Sequence, residues 1–202
     1  MSLALSMPAE SDGWVGTWSP GIGDPTFGGW LTVLVYFVTA WRCSQAARRI
    51  SGRMAALSDA RRERLFWKIL SVLFLLLGIN KQLDLQSLVT ELGRLMARDE
   101  GWYESRRTVQ FAFILAVGAL GVAAAVAGIY LVRKGTRGAW IAALGAALVT
   151  AFVIIRAASF HHFDRFIGSR WLGLKANWLL ELGGLAIVIG GTIAQERAFR
   201  RQ

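Results

Sequence analysis

By length alone, a chain of 202 residues that is 54% hydrophobic and carries a formal charge of +10 could be one soluble domain. Its apolar residues fall in uninterrupted blocks instead of amphipathic stripes, which is the pattern of helices surrounded by lipid. With one cysteine, Cys43, and two histidines, the composition excludes an intramolecular disulfide and any multi-cysteine metal site.

In chain order, residues 1–24 form an arm with no Lys or Arg and with Glu10, Asp12 and Asp24. The arm lacks the basic and apolar regions of a signal peptide, so the first helix is expected to insert uncleaved. Five spans follow, at about 25–47, 65–86, 109–132, 139–163 and 172–194, with 196–202 as a tail. Val109 to Val132 is the clearest, because only Gln110 in it is strongly polar and roughly 20 apolar residues suffice to cross a bilayer core. The first span is expected to start with Asp24 as N-cap and Pro25 at the first helical position. The fold class predicted is all-α, a polytopic bundle of five transmembrane helices.

Orientation follows from the loops. The first connection carries Arg42, Arg48, Arg49, Arg53, Arg61, Arg62, Arg64 and Lys68, the third Arg133, Lys134 and Arg137, and the tail Arg197, Arg200 and Arg201. In the second connection Arg94, Arg98, Arg106 and Arg107 are offset by Glu91, Asp99, Glu100 and Glu104. The excess of basic residues puts the first set in the cytoplasm, the N-terminus outside and the C-terminus inside. The net charge is thus accounted for by topology, and nucleic acid is not expected as a partner, since that requires a soluble basic face with interleaved aromatics. The expected partners are the lipid bilayer and other membrane subunits.

Small residues crowd the third and fourth spans, including Gly118, Gly121, Gly128, Ala142, Gly145 and Ala146, so these two are expected to pack as a hairpin. Gly183, Gly184, Gly190 and Gly191 offer a similar surface on the fifth. Trp30, Trp102 and Trp178 near the outer boundary, and Trp41, Trp67 and Trp140 near the inner one, read as interfacial belts. Cys43, at the inner end of the first span, reads as inert.

Against this apolar background, three spans carry polar groups at the same end: Asn80-Lys81-Gln82 with Asp84, then Arg156 with Ser159, His161, His162 and Asp164, then Asn177 with Glu181. An ionisable group in a bilayer costs a few kcal/mol unless partnered or wet, and so marks a candidate functional site. At 1.5 Å of rise per residue, Lys81, Arg156 and Glu181 lie at one depth, roughly 9 to 10 Å below the outer boundary. Lys81 and Arg156 balance Asp84 and Glu181, and this ion-pair network is expected to join Glu181 to Arg156 or to Lys81.

Several chemistries fit these residue types. Glu181, Asp84, His161 and Asp164 are the candidates for acid–base catalysis. His161 and Asp164, neighbours at i,i+3, could join Glu181 in the mixed imidazole and carboxylate set that zinc or iron accepts. Purely structural roles stand beside these: interfacial hydrogen bonding for the histidines, and an ion pair that only fixes helix register for Arg156 and Glu181. Snorkelling or capping suits Gln82, Gln86 and Asn177. A bis-histidine haem does not fit, because both histidines are neighbours on one span, and the residues name no other cofactor. Nor is there a Gly-x-Ser-x-Gly elbow, a Walker loop, a His-Glu-x-x-His or a dinucleotide fingerprint.

The segments Gly21-Ile-Gly-Asp-Pro-Thr26, Asn80-Lys-Gln-Leu-Asp-Leu-Gln86, Gly101-Trp-Tyr-x-x-Arg-Arg107, Ser159-Phe-His-His-Phe-Asp164 and Asn177-Trp-Leu-Leu-Glu181 resemble those of a family of small bacterial polytopic membrane proteins. The resemblance covers most of the chain beyond the N-terminal arm. It implies a bacterial cytoplasmic membrane and transfers no activity. Two functions remain: a membrane-embedded enzyme or ligand-binding protein with its site in the outer half of the bilayer, and a non-catalytic subunit or assembly factor of a larger complex.

Overall fold

The computed structural model describes residues 19, 25–53, 58–83, 91–92, 106–158, 170–171 and 174–200, with backbone only at 51–53, 58, 106–114, 156–158, 170–171 and 174–179. Among these residues the fold is helical: α1 (Phe27–Arg53), α2 (Ser58–Leu83), α3 (Arg106–Val132), α4 (Arg137–Ala158) and α5 (Ala176–Arg200). One short antiparallel pair, β1 (Arg170–Trp171) with β2 (Leu174–Lys175), precedes α5 in the register Arg170 to Lys175 and Trp171 to Leu174.

The helices outrun the apolar blocks. α1 continues through Arg48 and Arg49 to Arg53, and α2 begins at Ser58, ahead of the apolar residues that start at Leu65. Arginine is a good helix former, so the edge of an apolar block marks a change of solvent and not the end of a helix. The start of α1 differs from the expected cap. Thr26 holds it, accepting the Gly29 amide on Oγ1 at 3.2 Å and the Trp30 amide on its carbonyl at 3.1 Å. Pro25 therefore precedes the helix, and Asp24 lies outside the described residues. Likewise α5 starts at Ala176 and not at Leu172, because residues 174 and 175 pair as strand instead.

Three helices contain stretches long and apolar enough to cross a membrane, Asp59–Leu83, Leu115–Val132 and Arg137–Ile155. Their outward faces are greasy: Leu120, Val122, Val126, Leu144, Leu76 and Val72 are all exposed. So wide an apolar surface, on helices of spanning length, is that of a membrane protein.

The tightest pairings are α1 with α2 and α4 with α5; α5 also packs on α1, while α3 touches α4 and α2 more lightly. The expected hairpin of the third and fourth helices is therefore not the principal contact. The small residues of α4 meet α5 instead, and a Cβ added at Gly138 would stand 2.6 Å from the Gly191 carbonyl oxygen. Gly118 and Gly128 of α3 face open space. Between these contacts lies an apolar core of Ala40, Cys43, Leu70, Phe74, Val149, Leu185 and Val188. Trp67 belongs to this core and not to an interfacial belt, packed edge-on to Phe66 at 5.5 Å. Trp41, midway along α1, and Trp140, in the first turn of α4, are exposed.

Candidate functional site

One carboxylate organises the end of the bundle opposite those connections. Glu181, in the second turn of α5, is only 3% exposed, and each of its oxygens has a partner from a different helix. Lys81 Nζ of α2 donates to Oε2 at 2.7 Å, and the Tyr36 hydroxyl of α1 donates to Oε1 at 2.9 Å. Charged hydrogen bonds of this length are the strong kind, and burial among apolar side chains strengthens them further.

The local sequence explains the convergence. Gly78, one turn before Lys81, permits α2 to approach α1 closely: an added Cβ would stand 2.9 Å from Phe37 Cε1 and 3.1 Å from Tyr36 Cβ. That approach sets the Tyr36 ring beside Phe74, with centroids 6.3 Å apart, and holds the phenol in a single buried position. Lys81 lies in the last turn of α2, where the helix dipole also favours a cation. Three helices are thus tied at one level by a neutral Lys–Glu pair and a phenol.

Of the residues singled out in the sequence, Lys81 and Glu181 are brought together. Asp84, His161 and Asp164 lie outside the described residues, and Arg156 is described by its backbone alone, near the end of α4. Glu181 as a metal ligand would place a divalent cation close to the Lys81 ammonium, in competition with the two donors it now accepts from. Among the described residues no group of three His, Cys, Asp or Glu side chains is suited to a metal ion.

Tyr36 carries no signal in the sequence beyond being a tyrosine within an apolar run, so its role in the site is a finding of the structure. A second polar cluster, equally unmarked, closes the other end of the same helices. Glu63 of α2 is 6% exposed and accepts from Gln195 Nε2 at 2.7 Å, Thr136 Oγ1 at 2.8 Å, the Thr136 amide at 3.1 Å and Trp67 Nε1 at 3.5 Å. Thr136 Oγ1 also contacts Gln195 Oε1 and caps α4 by accepting from the Ala139 amide at 3.2 Å. The Thr136-x-x-Ala139 cap is the one local signal by which this cluster could have been found. At 1.5 Å per residue it lies roughly 20 to 27 Å along α5 and α2 from the Glu181 pair, about the depth of a bilayer core.

Just beyond it, Glu196 of α5 gathers three guanidinium groups: Arg200 at 2.8 Å, Arg49 at 2.9 Å and Arg42 at 3.3 Å. The hydrogen bond from Arg200, followed by that from Arg49, lowers its carboxyl pKa from 4.5 to about 2. This network is partly open to solvent, which screens its charges, whereas the Glu181 pair has less such relief.

No protein-family model, curated protein or solved structure matches the chain.

Proposed function

We propose that this chain is a polytopic membrane protein of five spans, N-terminus outside and C-terminus in the cytoplasm, whose working centre is Glu181 with Lys81 and Tyr36. In this reading the site lies in the outer half of the bilayer and takes a ligand or carries an acid–base step. Asp84, His161 and Asp164 are the further groups that the sequence delivers to the same end. Residence in a bacterial cytoplasmic membrane, and kinship with the small polytopic proteins that share the five quoted segments, belong to the same proposal.

The observation that carries it is a carboxylate almost wholly buried in apolar helices, held by a cation and a phenol from two other helices. Such a group is costly to place, and replacing a buried ion pair by apolar residues is often neutral or stabilising, so stability alone gives little reason to keep it. Lys81 and Tyr36 each aim a proton donor at this one carboxylate.

The alternative is a non-catalytic subunit or assembly factor, in which the pair only fixes helix register. It is favoured by one specific fact: both Glu181 oxygens are already satisfied within the chain. Purification in mild detergent, followed by mass spectrometry and elemental analysis, separates the two. A stoichiometric small molecule, lipid or metal supports the first; a stoichiometric protein partner with no such species supports the second.

A further inference from the structure

At the basic end of the bundle, the junction of α2 and α3 has an unbalanced charge. Arg133 lies over the Tyr130 ring with its guanidinium carbon 4.4 Å from the centroid, and Arg62 lies 5.2 Å from the same centroid. Lys134 follows, 65% exposed. One carboxylate, Asp59, serves two of these three cations, at 3.5 Å from Arg62 and 3.9 Å from Lys134. Arg133 has no carboxylate partner among the described residues. Two guanidinium groups gathered at one ring repel each other, and the ring and a single carboxylate offset only part of that.

The helix below is apolar and open. Val126 and Val122 lie one and two turns from Tyr130 on the same face of α3, and they are 62% and 66% exposed. Only 6% of the α3 span is buried against the rest of the protein. A cationic cluster on an interfacial tyrosine, directly above a bare apolar track, is complementary to a molecule with an anionic head and hydrocarbon tails.

We propose that Arg62, Arg133 and Lys134, arranged on Tyr130, form a binding site for the phosphate headgroup of an anionic phospholipid, whose acyl chain lies along Val126 and Val122 of α3. The lipid phosphate supplies the missing anion, and its tail covers the helix that the bundle leaves least buried. This site is distinct from the Glu181 centre and rests only on the membrane reading.

The test is native mass spectrometry of the delipidated full chain, titrated with phosphatidylglycerol and with phosphatidylcholine of the same acyl chains. Wild type binds the first phosphatidylglycerol in preference to phosphatidylcholine. Arg62→Gln/Arg133→Gln weakens that binding by about thirtyfold, the loss of two interfacial cations. Arg48→Gln/Arg197→Gln removes the same charge from the same end, on α1 and α5, and leaves the preference in place. Equal binding of the two lipids by wild type overturns the proposal, as does an equal loss in the two double variants, which would mean a diffuse charge effect. Carbonate washing of membranes separates the premise: a chain that stays in the pellet yet shows no lipid preference fails this proposal alone, whereas a chain released by carbonate fails the membrane reading with it.

Discussion

Lys81 and Glu181 stand 100 residues apart in the chain, and their side chains meet at 2.7 Å in the bundle interior. Removing one partner strands the other, which costs about 3–5 kcal/mol, while replacing both by apolar residues of similar size costs little or stabilises by about 1–4 kcal/mol. Glu181→Leu and Lys81→Met are each expected to lower the melting temperature in detergent, and Lys81→Met/Glu181→Leu to restore it. A double variant as unstable as the sum of the two singles would rule out the pair as a coupled unit.

Tyr36→Phe removes one donor to a charged acceptor without changing the packing of the ring. The expected cost is about 1.5–3 kcal/mol, the range for hydrogen bonds to ions. In the Lys81→Met/Glu181→Leu background the same change should cost nearly nothing, because its acceptor is gone. Thermal or denaturant unfolding of the four proteins gives the coupling directly.

Glu63 predicts a larger effect than its place beside the basic connections suggests. Glu63→Ala leaves the Thr136 amide and the Gln195 amide nitrogen without their acceptor, at about 1–3 kcal/mol for each buried group that finds no replacement, while the Thr136 hydroxyl keeps Gln195 Oε1. Glu196→Ala removes three guanidinium contacts, but at a surface where screening leaves each ion pair worth little. The expected order of destabilisation is therefore Glu63→Ala well above Glu196→Ala, although the second loses more ion pairs.

Glu196 also fixes a pH signature. Its carboxyl pKa is lowered in the folded protein to about 2 from 4.5, so the unfolded chain binds the proton more readily. Its contribution is complete above 4.5 and is lost as the pH falls from there toward 2. Glu196→Gln should flatten that part of the acid unfolding curve, and high salt should mimic it in wild type. An unchanged acid limb would mean that the network does not persist in solution.

Adjacent glycines on α5 should behave in opposite ways. At Gly191 an added Cβ would stand 2.6 Å from the Gly138 carbonyl oxygen and 2.7 Å from the Ala142 amide, so Gly191→Ala must push α4 and α5 apart. At Gly190 nothing lies within 4 Å, and Gly190→Ala should be neutral or stabilise by up to about 1 kcal/mol through helix propensity. Melting temperatures of the two single variants check the α4–α5 contact.

Much of this was legible from the sequence, because uninterrupted apolarity is a strong and local signal. The five helices lie where the apolar blocks are, and the pairing of Glu181 with Lys81 was one of two expected on depth and charge. What escaped is what distance in three dimensions decides. Tyr36 looks like any tyrosine in an apolar run until Gly78 brings α2 against it. Glu63 sits among arginines and reads as a solvated charge, yet it turns inward to cap α4 and hold Gln195. The small residues of α3 and α4 suggested a mutual interface, but composition does not say which helix faces them, and α5 took that place. The cap of α1 moved from Asp24 to Thr26 because a hydroxyl two residues later reaches the Gly29 amide.

The most direct measurement is the content of the purified Lys81→Met/Glu181→Leu protein beside wild type, by native mass spectrometry and elemental analysis. If Glu181 and Lys81 form a working centre, the double variant accumulates and melts like wild type but has lost a ligand or metal that wild type retains at fixed stoichiometry. A bound species kept equally by both proteins, or a stoichiometric protein partner with no such species in wild type, would contradict it.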